Sequence, residues 1–309
     1  MKKAIITGPT GAVGVSLIHE LLAHDIEVTA VCREGSARAD ALPKHERLNV
    51  VACNLDKIER LSEVLPHDYD VFYHLAWDGT YGDARLDTLR QAGNVLYSLR
   101  AVRTAKQLGC SIFVGAGSQS EFGHVDGVMH PDMPCFPDNP YGCSKLAASQ
   151  LSRLECEKLG IKQIWCRICS IYGCYDGKNT LVMSSILKML QGERMQFTQG
   201  DQIWDYLYNK DCARAFRLVA ERGRDGAIYC IGSGKTRRLK DFILSIRDAI
   251  DPKLEIGIGE LAYYPNQVMH LEADIANLTA DTGFTPQYSF EDGIRETIEW
   301  AKEQTKNHG

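Results

Sequence analysis

The chain has 309 residues, 44% hydrophobic and 24% charged, enough to bury a full core and, by size, to form two domains of about 150 residues each. This composition excludes a disordered chain and a disulfide miniprotein. A net charge of -5 from 40 acidic and 35 basic residues, with no basic run, argues against nucleic acid as a partner. Eleven cysteines without paired spacing suit a reducing, cytoplasmic setting. Gly8, Gly11 and Gly14 break the first apolar stretch before it can serve as a secretion signal. No run approaches the roughly 18 apolar residues of a membrane helix.

Taken in chain order, short apolar runs at 4–7, 28–32, 49–53, 70–76, 112–116 and 163–168 read as strands. Between them Val13, Leu17 and Leu21 recur every four residues, Leu89, Leu96 and Leu99 sit on a long helical stretch, and Leu146, Leu151 and Leu154 follow in another. The alternation predicts an α/β fold with a doubly wound parallel sheet covered by helices on both faces. After Tyr172 the regularity loosens into a helix at 181–190, a strand pair within 195–208, and helices at 210–221, 239–250 and 291–302. The expected division is a sheet domain over 1–172 and a smaller mixed α/β cap over 173–309, with segments returning to the sheet. A ligand cleft would lie between them.

Thr7-Gly8-Pro9-Thr10-Gly11-Ala12-Val13-Gly14 follows the first strand and opens the first helix. Glycines there permit a tight turn and close approach of backbone amides to a pyrophosphate, which the helix dipole also attracts. A glycine turn that only packs helix on strand is the plainer alternative, and the strand-to-helix position argues for dinucleotide binding. The second strand ends Val31-Cys32-Arg33, with Ser36 and Arg38 close behind, where an acid that holds the adenosine ribose would stand. A guanidinium suits a 2′-phosphate, so NADP(H) is favoured and NAD(H) is the alternative, with Glu34 the competing ribose acid.

Tyr141 and Lys145 are four residues apart at the start of a helix after Pro140, which puts phenol and ammonium on one face. A nearby cation favours the phenolate, so Tyr141 can move a proton. A second pair at this spacing, Tyr206 and Lys210, lies in a strand running into a turn, where residues four apart diverge. Ser118 follows the fifth strand, at the carboxyl end of the sheet where such folds bind ligands, and its hydroxyl could hold a substrate oxygen. Cys166 and Cys169, three apart in a strand, face opposite ways, and the nine histidines form no spaced cluster, so no metal site is expected.

The glycine loop, His74-Leu75-Ala76, Ser118, Tyr141 to Lys145, Arg167 ahead of Tyr172-Gly173, Asp211-Cys212-Ala213-Arg214-Ala215 and Asp274-Ile275 together resemble the extended short-chain dehydrogenase/reductase family over essentially the whole chain. The resemblance implies a Rossmann domain, a catalytic set of Ser118, Tyr141 and Lys145, and a pyrophosphate cradle of Gly8, Thr10, Gly11, Ala12, Val13 and Gly14. It also implies that Lys145 holds the nicotinamide ribose, that Leu75 and Ala76 line the cofactor, and that Asn94 is the supporting asparagine. Cys53-Asn54-Leu55 stands where the family places its adenine-contacting aspartate. The long helical stretches 89–108 and 141–159 resemble those that pair members into homodimers.

Most extended members act on nucleotide-linked sugars, and those that dehydrate carry Asp-Glu after the active-site serine or threonine, whereas this chain has Gln119-Ser120. The expected activity is a nucleotide-sugar 4-ketoreductase, with a 4-epimerase that retains NAD as the alternative enzyme. A non-catalytic dinucleotide sensor is the rival of another class. Ser118, Gln119, Ser120, Lys178, Asn179 and Trp204 are the candidate substrate residues. Trp204 stands where many members have the arginine that clamps the diphosphate, and Tyr264 where a second arginine is expected.

Overall fold

The computed structural model describes residues 1–265 and 267–306. β1 (Lys3–Thr7) supplies Ala4, Ile5 and Ile6, all fully buried, because a strand between two helical layers needs apolar side chains on both faces. It turns through the glycine loop into α1 (Ala12–Leu22) and is followed by β2 (Glu27–Cys32) and β3 (Leu48–Ala52). The short α2 (Leu61–Val64) leads to β4 (Val71–His74), then α3 (Asp83–Leu86), α4 (Thr88–Gln107), β5 (Ile112–Ser118) and the short β6 (Val128–Met129). The Asp87 side chain caps α4 by accepting from the Leu89 and Arg90 amides. In α5 (Pro140–Leu159) Asn139 is the N-cap, proline takes the first helical position, and Gly160 closes the helix at φ 64°.

Next come β7 (Lys162–Ile168), β8 (Ile171–Tyr172), α6 (Leu181–Leu190), β9 (Gln196–Phe197), β10 (Ile203–Trp204), β11 (Leu207–Tyr208), α7 (Asn209–Arg222) and β12 (Ile228–Ile231). The chain ends with β13 (Arg237–Arg238), α8 (Leu239–Ile250), β14 (Gly257–Ile258), β15 (His270–Ala273), α9 (Ala276–Thr282) and α10 (Phe290–Lys306). Seven parallel strands form the main sheet in the order β12-β7-β5-β4-β1-β2-β3. The direction of winding reverses between β1 and β4, so the carboxyl ends of β1, β4 and β5 open onto a crevice. This is the doubly wound α/β fold expected of the sequence. β12 belongs to this sheet although it lies 60 residues beyond its neighbour β7, and α7 packs beside α1 on one face.

Two expectations need correction. Leu89, Leu96, Leu151 and Leu154 do not face the sheet: Leu89 is 86% exposed and the other three are also exposed. Ser98, Ala101, Val102 and Ala105 of α4 and Ala148, Ser149, Ser152 and Cys156 of α5 are buried instead, short side chains that let both helices lie close to the sheet, while Gln91 and Asn94 are buried against the loop after β4. The strands within 195–208 do not pair with one another. β9 pairs with β14, β10 lies between β13 and β15, and β11 pairs with β8, so each takes a partner distant in sequence. α6, α8 and α10 close a separate apolar core around Tyr172, Phe242, Phe290 and Ile294. Among the described residues no helix is long and apolar enough to cross a membrane.

Candidate active site

The glycine loop sits at the carboxyl end of β1, and its three glycines have different duties. A Cβ on Gly8 (φ +71°) would lie 2.7 Å from the Ala76 amide nitrogen, and one on Gly14 would lie 2.3 Å from the Gly8 carbonyl oxygen. Those two glycines permit backbone packing. A Cβ on Gly11 would meet nothing closer than 3.9 Å, so its missing side chain leaves open space in front of α1. Gly11 is the N-cap, no side chain caps the helix, and no acid stands in its first turn. Free amides and open space fit a dinucleotide pyrophosphate.

Thr7 and the loop after β4 support this cradle. His74 is buried, with Nδ1 3.0 Å from Thr7 Oγ1 and Nε2 3.3 Å from Ser98 Oγ. Burial, with the Lys145 charge adding to it, lowers its pKa to about 3. Leu75 and Ala76 are half-buried beside the glycine loop. Asn94 reaches up from α4: its Oδ1 accepts from the Asp78 amide at 2.8 Å and its Nδ2 donates to the Asp78 carbonyl at 2.9 Å. At the end of β2, Arg33 and Arg38 are exposed. Asn54, ahead of half-buried Leu55, accepts from the Glu34 amide and donates to the Glu34 carboxylate, both at 3.1 Å.

β5 and α5 bring Ser118, Tyr141 and Lys145 together, and all three are buried. Ser118 ends β5 and accepts from the Ser120 amide at 3.2 Å, while its own amide donates to Glu121 Oε1 at 2.8 Å. Tyr141 lies in the first turn of α5, held there because Asn139 accepts from the Gly142 amide at 3.0 Å. Burial raises the pKa of the phenol above its ordinary value, and the Ser118 hydroxyl and Arg85 guanidinium offset only part of that rise. Lys145 Nζ donates to the Ala116 carbonyl at 2.6 Å and lies 3.8 Å from the Trp77 ring centre. Burial brings its pKa down to about 7 against the opposing Glu121 carboxylate. Such a lysine changes charge near neutral pH.

Gln119 is half-buried and Ser120 buried in the turn after Ser118. Lys178 and Asn179 are exposed between β8 and α6, directly after Gly177, which lies beside Tyr81 of the loop before α3. Trp204 is half-buried in β10, and its indole donates to Ser170 Oγ at 3.0 Å. Among the described residues no group of three or more His, Cys, Asp or Glu side chains could hold a metal ion.

Four residues of the site escaped the reading of the sequence. Glu121, fully buried, accepts from Arg167 Nε at 2.8 Å and from Trp165 Nε1, and it fixes the Ser118 turn. Trp165 crosses β5 only because Gly115 and Gly117 have no Cβ, which would lie 2.2 and 2.3 Å from its ring. Trp77 meets the Tyr141 ring edge-on at 6.0 Å. Arg85 lies over the Tyr141 ring with its guanidinium carbon 4.0 Å from the centre. Trp77 and Arg85 belong to the loop and turn after β4, at the same sheet edge as Ser118. That shared edge is the one signal that could have marked them.

A dTDP-glucose 4,6-dehydratase of Shigella flexneri is 32% identical over 171 residues, covering 53% of this chain and 47% of that enzyme, so the chain spans about half the length of this relative. The fold is similar to UDP-glucose 4-epimerase of Thermotoga maritima, determined with UDP-glucose (TM-score 0.87, 19% identity, 98% of this chain and 99% of that one). It is also similar to DesIV, a dTDP-glucose 4,6-dehydratase of Streptomyces venezuelae determined with NAD and TYD bound (TM-score 0.86, 22% identity, 98% of each chain). With the cradle, the Ser118, Tyr141 and Lys145 cluster and a family model matching residues 4–232, the chain belongs to the NAD dependent epimerase/dehydratase family, within the extended short-chain dehydrogenases/reductases.

Proposed function

We propose that this protein is an NADP(H)-dependent oxidoreductase that reduces a 4-keto group of a nucleotide-linked sugar. The observation that carries the reading is the burial of Tyr141 against Ser118 and Arg85, with Lys145 one turn along the same helix. The bound dinucleotide would supply the hydride. Ser118 orients the carbonyl oxygen, Tyr141 delivers the proton to it, and Lys145 favours the phenolate left behind. Arg33 and Arg38, exposed at the end of β2 while Glu34 is tied to Asn54, support a 2′-phosphate on the ribose.

Dehydration is disfavoured because the turn after Ser118 offers no free acid. Ser120 is bound by Arg85, and Glu121 is committed to Ser118, Trp165 and Arg167. A 4-epimerase is the second reading: the same tyrosine would take a hydroxyl proton, and the family description names epimerases that use NAD. A non-catalytic sensor would have no use for a buried tyrosine and lysine beside the cradle. The proposal includes a homodimer formed through the exposed leucines of α4 and α5.

The test begins with mass spectrometry of dinucleotide released from the denatured protein. It continues with NADPH oxidation in the presence of UDP- and dTDP-linked 4-keto-6-deoxyhexoses. The expected outcome is an empty or NADP(H)-bearing site and turnover that falls about 10²- to 10⁴-fold in Tyr141→Phe. Near-stoichiometric retained NAD would favour the epimerase, and full turnover by Tyr141→Phe would overturn the mechanism.

A further inference from the structure

We infer that Arg85 is a positioning residue for Tyr141, a fixed cation held over the ring of the proton donor, and that Ser120 is its anchor. The inference rests on reading Tyr141 as the group that moves the proton.

Arg85 sits in the one-turn helix α3, and two contacts aim its guanidinium. Nη1 donates to the Thr80 carbonyl at 3.3 Å and Nη2 donates to Ser120 Oγ at 2.5 Å. Neither partner is a carboxylate, so the positive charge is not neutralised by them and stays directed at the ring 4.0 Å away. The Ser120 amide donates to Ser118 Oγ, so one short turn holds both the serine that would orient the carbonyl and the arginine on the tyrosine. Ser120 therefore has a duty of its own here: it accepts from Arg85, and an acid at that position would neutralise the guanidinium instead.

Lys145 is less suited to the same task. Its Nζ is 5.8 Å from the Tyr141 ring centre, bound to the Ala116 carbonyl and seated on Trp77. With its pKa brought down to about 7 by burial, its charge is weakened around neutral pH. A guanidinium keeps its charge throughout the range in which the protein is folded. The charged and titratable groups that act on Tyr141 are Arg85 from α3, Glu121 from the turn after β5 and Tyr81 from the loop before α3, with Lys145 on its own helix. Arg85 and the Ser118 hydroxyl favour the phenolate, and Glu121 and Tyr81 oppose it.

The test needs neither substrate nor turnover. The full chain, labelled with carbon-13 at tyrosine Cζ, is titrated by NMR alone and with saturating NADPH, and Tyr141 is assigned by the resonance missing from Tyr141→Phe. In the wild type Tyr141 is expected to ionise earlier than in Arg85→Gln by about one pH unit or more. Arg85→Lys should restore most of that difference, and Ser120→Ala should shift Tyr141 in the same direction as Arg85→Gln by a smaller amount. Unchanged resonances of the other tyrosines show that each variant is folded, and Ser120→Ala replaces Arg85→Gln as the deciding variant if the latter is not. A wild-type Tyr141 that ionises no earlier than in the deciding variant overturns the inference while leaving the proposed reaction standing. Inactivity towards nucleotide sugars, with the expected titrations, overturns the reaction and leaves Arg85 in its role.

Discussion

His74 joins the cradle to the core, and its chemistry makes the fold sensitive to acid. The imidazole pairs with Thr7 and Ser98, and Thr7 Oγ1 in turn accepts from the Ala76 amide at 3.4 Å, next to the point where Gly8 packs. Protonation would place a charge in a buried site, near Lys145. The folded pKa of about 3 lies below the ordinary 6.5, so between these values the unfolded chain holds the extra proton. The stability that the neutral His74 contributes is therefore fully present above about pH 6.5 and is lost as pH falls towards 3, by about 1.4 kcal/mol per pH unit within that window. His74→Asn removes this titration, and urea midpoints at pH 5 and pH 7.5 should differ less in the variant than in the wild type. An equal difference in both would show that His74 does not titrate on unfolding. At this scale the local motifs were legible in the sequence: the glycine spacing, Tyr141 with Lys145, and Ser118 at a strand end each depend on residues close together in the chain. Glu121 and Arg85 were not legible, because their roles arise from Arg167, Trp165 and Tyr141, which only the fold brings to them.

The helices show how periodicity can be sound while its face is misjudged. Leucines along the helical stretches of α4 and α5 suggested the side that meets the sheet, but the residues buried there are alanines, serines, a valine, a threonine and a cysteine. Short side chains let the two helices lie side by side against β5, and Arg103 on α4 pairs with Glu155 on α5 at 2.7 Å. The leucines are left facing outward, where four exposed side chains on adjacent helices lose free energy to water unless something covers them. A second copy of the chain presenting the same band would do so by twofold symmetry. Sedimentation velocity should find a dimer at micromolar concentration, and Leu96→Glu with Leu151→Glu should weaken it by roughly 100-fold or more, since a charge at the centre of such a patch is desolvated without a partner. A monomeric wild type would remove the dimer from the proposal. The short strands β9, β10 and β11 were the least legible elements, because two residues carry no period and their partners lie elsewhere in the chain.

Across the whole molecule the two halves are stitched together more often than a division at residue 172 suggests. β12 forms an edge of the main sheet, and Cys212, Ala213, Phe216, Val219 and Ala220 of α7 lie in the same core as Ala4, Ile6, Leu17 and Ile18. Arg217 on α7 also pairs with Glu20 on α1 at 2.8 Å, with both side chains largely shielded. Beyond the sheet, the fully buried Asp205 accepts from the Ser233 and Gly234 amides at 2.8 and 3.0 Å and so ties the loop after β12 to the strand region of the cap. A fragment ending at residue 172 would leave one face of α1 and of the sheet bare. It would also expose β7 as an open edge, which favours aggregation. The full chain is therefore expected to unfold in a single calorimetric transition, and residues 1–172 expressed alone to aggregate or to lack a dispersed NMR spectrum. Residues 1–231, which restore α7 and β12, should recover a folded sheet. A well-dispersed spectrum from 1–172, or two separate transitions in the full chain, would show instead that the cradle and the Ser118, Tyr141 and Lys145 cluster stand on an independent domain. The cap would then be able to move against that domain during turnover.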